Sequence, residues 1–171
     1  TVTDGGCTAV FGPIVITINP RPTGNLKASE TSGINNDNTI CAGSDVNFSF
    51  DNPQASYTNY KFFLNGTTVI YNGANSFVTT NTLVDNDSVS VVVTTNNGCS
   101  KTFGPIKIIV KPFPVAAGSI TGSAIVCQGQ TSVVYTVPAI TNALSYTWTV
   151  PTGANIISGG ITNSITVNYS I

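Results

Sequence analysis

Apolar and polar residues alternate along much of this chain, which is the pattern of β-strands that bury one face. VNFSF at residues 46–50 places its apolar side chains on one side of a strand, and SVSVVVTT at residues 88–95 repeats the alternation over a longer run. Asn-Gly dipeptides begin at Asn65 and Asn72, and this dipeptide favours the tight turn of a β-hairpin. No window has the period of an amphipathic helix. The pattern predicts an all-β protein built from β-sandwiches.

One strand pattern occurs twice with a constant spacing. GPIVITINPRP begins at Gly12 and GPIKIIVKPFP begins at Gly104, and a Gly-Cys turn precedes each, at Cys7 and Cys99. Equivalent positions lie 92 residues apart, and about 90 to 100 residues is the size of one immunoglobulin-type sandwich. We therefore divide the chain into the last hairpin and strand of an upstream Ig-like module (1–20), a complete Ig-like module (21–112) and the first part of a third module (113–171). We expect this to be a segment of a longer protein.

The composition narrows the classes of function. Only 8% of the residues are charged and the formal net charge is -1, so the chain lacks the clustered Lys and Arg that bind nucleic acid or an anionic membrane surface. It contains no His, the side chain most used as a general base and metal ligand, and nothing indicates a base for a Ser nucleophile. We expect a chain that is not an enzyme and has no cofactor. No apolar run approaches the roughly 20 residues of a membrane-spanning helix, so we expect no membrane insertion by this segment.

The four cysteines favour disulfides over a metal site, because no CxxC pair is present and no His could complete a zinc site. Cys41 and Cys99 frame the complete module, and a bond between them is the pairing we favour. In a standard sandwich, however, the turn before the second strand and the last hairpin lie at opposite ends, so bonds between neighbouring modules are the alternative. With Cys41 bonded to Cys99, Cys7 and Cys127 would have partners outside this segment.

Two Asx-rich stretches could bind calcium, because hard cations are held by clustered carboxylate and amide oxygens. DNDS contains the weak calcium candidates Asp85 and Asp87, and NNDN occupies residues 35–38. Such stretches are also ordinary turn sequences between strands. We favour the turn interpretation and predict no metal.

The aromatic residues separate two classes of function. Trp148 is the only tryptophan, and alternation would place Tyr146, Trp148 and Val150 on one face of a strand. We interpret Trp148 as a core residue of a sandwich. If Trp148, Tyr146, Tyr57 and Tyr60 were instead exposed in a row, they would form stacking platforms for sugars.

Paired prolines mark both boundaries of the complete module. Pro20 and Pro22 precede it, and Pro112 and Pro114 follow it. Because proline fixes φ and restricts the residue before it, these linkers should be short, semi-rigid struts that set the modules in an extended rod. Phe113 is expected to pack on a neighbouring sandwich. The pair Gly104-Pro105 inside the last strand predicts a bulge or a change of sheet.

Several stretches resemble a known family. ICAGSDVNFSF, YKFFLNGTTV and DNDSVSVVVTTNNGCSKTFGPIKIIVKP are similar to the tandem immunoglobulin-like repeats of very large cell-surface proteins of gliding Bacteroidetes, which the type IX secretion system exports. VCQGQTSVVYTV and SYTWTVPTGANIISGG resemble the PKD-like repeats of the same proteins. The most similar members that we identify are gliding-motility adhesins of the SprB type.

The resemblance implies tandem Ig-like and PKD-like β-sandwich modules, with residues 113–171 as the PKD-like one, on the extracellular surface of a cell. It implies a non-catalytic repeat of an adhesin or filament, acting as an extended spacer and adhesive surface in gliding motility or attachment. The implied partners are neighbouring modules of the same chain, extracellular polysaccharide or a solid surface, and the secretion and motility machinery. Ser88, in Asp87-Ser88-Val89, resembles an O-glycosylation acceptor of this phylum. The alternative function is a carbohydrate-binding accessory array of a secreted enzyme.

Overall fold

The structure is a computed structural model that describes residues 1–10, 12–34 and 36–170. These residues form fourteen β-strands and no helix, which confirms the prediction of an all-β protein. No helix that could cross a membrane is found in these ranges. Asn35, the first residue of the NNDN stretch, lies outside the described residues.

The strands form three groups along the chain. The N-terminal group is a hairpin of β1 (Val2–Asp4) and β2 (Cys7–Ala9). The central group consists of β3 (Leu26–Glu30), β4 (Thr39–Cys41), β5 (Val46–Phe50), β6 (Tyr57–Leu64), β7 (Thr68–Gly73), β8 (Phe77–Thr80), β9 (Ser88–Thr95), β10 (Ser100–Lys107) and β11 (Ile109–Lys111). The C-terminal group is β12 (Val133–Thr136), β13 (Ala154–Ser158) and β14 (Ser164–Tyr169).

The central group is a two-layered sandwich. One sheet has the order β10-β9-β6-β7 and the other the order β3-β5-β8, and all these neighbours are antiparallel. β11 follows β10 and pairs in parallel with β4. The inner faces of the layers share one core, in which Phe48 and Phe62 are the largest fully buried side chains. This is the architecture of an immunoglobulin-like domain.

The predicted alternation is the reason these strands pack in two layers. In β5 every second residue is buried, and the same is true along β9. Phe48 in β5 and Val91 in β9 are both fully buried. Removing an apolar side chain of this size from water contributes roughly 1.5–3 kcal/mol. The polar residues between them stay on the outer faces, where water satisfies their side chains.

Local turn signals were right at two places and wrong at one. Asn65 and Gly66 both have positive φ, at 52° and 73°, and close the β6–β7 hairpin as predicted. The register shifts between Phe103 and Ile106, so Gly104-Pro105 does form the predicted bulge. The Asn72-Gly73 pair is not a turn, because both residues belong to β7 and Gly73 pairs with Tyr60.

The C-terminal group is a single three-stranded sheet with the order β12-β14-β13. Ala154, Ile165 and Val167 are its buried core, and Trp148 and Tyr169 pack against them. Residues 144–150, the LSYTWTV stretch, lie along this core but form no strand. Within the described residues, this sheet therefore has no second layer comparable to that of the central sandwich.

Candidate functional site

The N-terminal end of the central sandwich holds the linker that enters it. Pro22 is fully buried, and the backbone N–H of Thr23 donates a hydrogen bond of 3.0 Å to the Tyr57 hydroxyl. The N–H of Asn25 donates a hydrogen bond of 2.7 Å to the Asp51 carboxylate, which lowers the pKa of that carboxyl. The first linker is thus fixed to the sandwich by its last residues.

The second linker is fixed on both sides. Lys111 pairs with Cys41 in the central sandwich, and the carbonyl oxygen of Phe113 accepts a 3.3 Å hydrogen bond from the Asn142 side chain in the C-terminal unit. The Phe113 side chain itself is 62% exposed, so the prediction that it packs on a neighbouring sandwich is wrong. The hydrogen bond to the C-terminal unit is made by the Phe113 backbone carbonyl.

The prolines themselves divide into two kinds. Pro22 is part of the packed sandwich, whereas Pro20, Pro112 and Pro114 are exposed. Pro114 also lines a cleft in the C-terminal unit. The exposed prolines restrict the backbone without adding to either core.

The predicted disulfide is not present. Cys41 and Cys99 are free thiols in the structure, and they lie at opposite ends of the sandwich. The Cys99 thiol is 3.8 Å from the carbonyl oxygen of Asn19, in the first linker, whereas Cys41 pairs with Lys111 beyond the other end of β10. The eight residues of β10 alone span roughly 25 Å, and a disulfide needs Cα atoms within about 7 Å. Bonds between neighbouring modules stay a prediction.

The other two cysteines lie outside the central sandwich. Cys7 begins β2 and pairs with Asp4, and Cys127 lies in a turn in which its N–H donates to the Gln130 side chain at 2.9 Å. Both are exposed free thiols. Their predicted pairing outside this segment is not tested by the contacts within it.

Asp85 and Asp87 form a hydrogen-bonded turn before β9. Asp87, only 7% exposed, accepts from the Asn65 side chain at 2.7 Å and from the N–H of Val84 at 2.9 Å. Asp85 accepts from the N–H of Val110 at 3.0 Å and from the Asn86 side chain at 2.8 Å. Each of the four carboxylate oxygens therefore accepts a hydrogen bond from a protein donor. The turn interpretation predicts such contacts. Among the described residues, no group of three or more Cys, Asp or Glu is placed to hold a metal ion.

Ser88, the O-glycosylation candidate, starts β9 beside this turn. Its hydroxyl lies 3.4 Å from the Asn65 side-chain oxygen, which also accepts from the Ser88 N–H at 2.9 Å. The residue is half-buried and pairs with Lys107. Modification of this hydroxyl stays a prediction.

Glu30 is a structural residue that the sequence analysis missed. It is 7% exposed, and its carboxylate accepts hydrogen bonds from the N–H groups of Asn36 and Asn38 at 3.0 and 2.6 Å. Both asparagines have positive φ. The loop before β4 is thus organised around one buried carboxylate. The only sequence signal was an acidic residue at an inward position of β3.

The aromatic residues do not form an exposed row. Tyr60 is 2% exposed, and burial raises the pKa of its hydroxyl. Tyr57 is half-buried against the central core. The Trp148 ring is also half-buried, with its indole N–H donating to the Thr162 carbonyl at 2.8 Å, and the Tyr146 hydroxyl accepts from the N–H of Ile140 at 2.9 Å.

Trp148 nevertheless lies between two open clefts of the C-terminal unit. The larger has a volume of 390 Å³ and includes Tyr146, Ile120 and Val137 in its lining, and the smaller has a volume of 170 Å³ and is lined in part by Val150 and Ile165. Both are bounded mainly by apolar side chains. The half-buried Trp148 ring is therefore accessible from both clefts.

Two family models match the chain. Residues 29–112 match the model described as Ig-like domain CHU_C associated, and residues 113–170 match the model described as PKD-like domain. No curated protein matches the chain with significant similarity.

Proposed function

From the premise that this chain carries an Ig-like domain followed by a PKD-like domain, we propose that it is a non-catalytic structural segment of a large cell-surface adhesin or filament. Domains of these two kinds are typically extracellular, and they fit a structural repeat segment. The segment spaces other parts of the protein away from the cell, in gliding motility or attachment. Its export by the type IX system and its contact with polysaccharide or a solid surface belong to the same proposal.

The observation that carries the proposal is the junction at Pro112. Lys111 is still paired with Cys41 of the Ig-like domain, and the carbonyl of Phe113 already bonds to Asn142 of the PKD-like domain. One residue, Pro112, separates the two attachments. Because proline fixes φ and the flanking residues are held, this junction has little freedom to bend. A stiff junction suits a spacer that works under load.

The use of the acidic side chains also supports a structural role. Glu30, Asp85 and Asp87 all accept hydrogen bonds from turns and strand ends. A general acid or base must be free to exchange a proton with a substrate. These carboxylates instead stabilise loops at the ends of the sandwich.

Small-angle X-ray scattering on the 171-residue chain tests the spacer proposal. We expect an elongated distance distribution for the wild type, and a broader, more compact one for the double variant Pro112→Gly/Pro114→Gly. Pro20→Gly serves as the matched control, since it alters an exposed proline at the other linker. A wild type that already behaves as freely jointed domains would contradict the spacer proposal.

Carbohydrate binding is the second candidate, and one observation favours it. The cleft beside Trp148 and Tyr146 combines these aromatic side chains with the polar residues Ser145 and Thr147, as sugar sites do. Titration of soluble glycans, followed by the fluorescence of Trp148, tests this candidate. A saturable change in the Trp148 fluorescence on adding glycan would support carbohydrate binding. The variant Trp148→Phe lacks this fluorescence signal, and binding of the same glycan to it, measured by calorimetry, would complete the support.

A further inference from the structure

The chain contains three Asn-Gly pairs, which begin at Asn65, Asn72 and Asn97. Glycine has no side chain to hinder a close approach, so its backbone nitrogen can reach the carboxamide carbon of the asparagine before it. This attack converts asparagine to aspartate or isoaspartate without an enzyme, provided that the side chain and the local backbone are free to move. The structure places the three pairs in different surroundings, so their reactivity should differ.

The side chain of Asn65 is held at both of its polar atoms. Its amide nitrogen donates to the Asp87 carboxylate at 2.7 Å, and its oxygen accepts from the N–H of Ser88 at 2.9 Å. A hydrogen bond to a charged group is stronger than one between neutral groups, and Asp87 itself is only 7% exposed. The carboxamide must leave both partners before it can turn toward Gly66. Asn65 is therefore protected, although it lies at the surface.

Asn72 is protected by the sheet to which it belongs. It pairs with Lys61 in the neighbouring β6, and Gly73 pairs with Tyr60. Its side-chain oxygen also accepts a hydrogen bond of 3.0 Å from the amide of Asn59. Because ring closure requires rotation about the backbone bonds of Asn72, β7 must first detach from β6 at this point. Such local opening of a paired strand costs free energy, which slows the attack.

Asn97 is the least restrained of the three asparagines. It lies in the turn between β9 and β10, where Asn96, Asn97 and Gly98 are all exposed. Among the described residues, its side chain makes one hydrogen bond, of 3.3 Å, from its amide to the side-chain oxygen of Asn19 in the first linker. The Gly98 N–H donates to the Thr95 carbonyl at 3.0 Å, within the same turn. The exposed end of a hairpin opens locally at a small cost in free energy.

We propose that Asn97 is a site of spontaneous deamidation in the folded chain, and that their contacts protect Asn65 and Asn72. The Gly98 nitrogen forms a bond to the carboxamide carbon of Asn97, and the bond from that carbon to the amide nitrogen breaks. The amide nitrogen leaves as ammonia with the proton of the Gly98 N–H, and a cyclic succinimide remains. Water then opens the ring at either carbonyl, which gives aspartate or isoaspartate at position 97. This inference does not depend on the proposed spacer function.

The product changes the contact between this hairpin and the first linker. A carboxylate at position 97 has no N–H to donate to Asn19, and it adds a negative charge to a chain whose formal net charge is -1. Isoaspartate also lengthens the backbone of the turn just before Cys99, whose thiol lies 3.8 Å from the carbonyl oxygen of Asn19. Deamidation therefore alters the end of the Ig-like domain that contacts the first linker.

Peptide mapping of the 171-residue chain after incubation at mildly alkaline pH tests the proposal. Chymotrypsin cleaves after aromatic side chains, and Tyr71 and Phe77 separate the three sites. Mass spectrometry detects the replacement of an amino group by a hydroxyl group, and a sample digested without incubation corrects for deamidation during digestion. We expect Asn97 in the folded chain to convert at least about ten-fold faster than Asn65, which must give up a hydrogen bond to a charged group. In urea the three sites should convert at similar rates.

Matched variants separate the local restraint from the sequence of the pair. Asn97→Gln should abolish the acidic form that isoelectric focusing detects early in the incubation, and Asn96→Gln, in the same turn but not before a glycine, should retain it.

Removal of the acceptor of Asn65 tests the protection. Asp87→Ala should accelerate conversion of Asn65 about ten-fold or more, while Asn72 stays slow because the sheet is intact. Circular dichroism checks the fold of this variant, and Asp87→Asn replaces it if it does not fold. The proposal is overturned if Asn97 in the folded chain converts no faster than Asn65 or Asn72, or if the loss of the Asp87 carboxylate leaves the rate at Asn65 unchanged.

Discussion

The carboxylate of Asp87 lies 2.7 Å from the side-chain amide of Asn65, a residue of the β6–β7 turn. The same Asn65 side chain accepts from the N–H of Ser88, so the two residues join the turn before β9 to a neighbouring hairpin. Asp87 is 7% exposed, and a buried acceptor that loses its donors is costly. This pair therefore has a stabilising role at the C-terminal end of the sandwich.

Replacement of Asp87 should destabilise the Ig-like domain without any role for calcium. We expect Asp87→Ala to lower the free energy of unfolding by about 1–3 kcal/mol, because the donors of Asn65 and Val84 lose their acceptor. Urea unfolding followed by circular dichroism measures this change. Asp45→Ala, at an exposed aspartate, is the control and should have little effect. An increase in wild-type stability on adding calcium would contradict the turn interpretation.

A side chain at Gly24 should lower the stability of the Ig-like domain. Its φ is 144°, and a Cβ atom there would lie 2.5 Å from Cζ of Phe50, which is too close. Gly43 also has a positive φ, of 76°, but a Cβ atom there would meet nothing within 4 Å. We expect Gly24→Ala to cost about 1–3 kcal/mol more than Gly43→Ala, because only the former overpacks the core. Equal losses in thermal unfolding would show that φ strain alone is responsible.

The stability of the chain should depend on Asp51 at acidic pH. The hydrogen bond from the N–H of Asn25 holds the pKa of Asp51 below its usual value. A carboxyl with a lowered folded pKa stabilises the fold fully above its unfolded pKa of about 3.9, and this contribution is lost as the pH falls through the folded pKa. The wild type should thus lose more stability than Asp51→Asn on acidification. Parallel loss in both proteins, measured by urea unfolding at each pH, would rule this out.

Peptide mapping under non-reducing conditions should find no peptide that joins Cys41 to Cys99. The two thiols lie at opposite ends of the sandwich, with Cys99 beside the first linker and Cys41 beside Lys111. We expect both to react with iodoacetamide in the folded chain. Detection of the joined peptide in folded protein would show that the strands are arranged differently.

The sequence by itself determined the all-β class, the architecture and several of the strands. Alternation of apolar and polar residues predicted β5 and β9, and the family models match an Ig-like and a PKD-like domain. Asn65-Gly66 and Gly104-Pro105 were interpretable because a turn and a bulge depend on the φ preferences and donors of their own residues. These features are local, so a short stretch of sequence is enough to predict them.

The tertiary structure alone decided which distant residues meet. Asn72-Gly73 has the sequence of a turn, but the pairing of β6 with β7 extends the strand through it. Glu30 and Asp87 are buried acceptors because loops from elsewhere in the chain present N–H groups to them. Cys41 and Cys99 suggested a bond on spacing alone, and the sheet order separates them. Phe113 is exposed and Tyr60 is buried for the same reason: packing depends on the position of whole strands, which no local pattern contains.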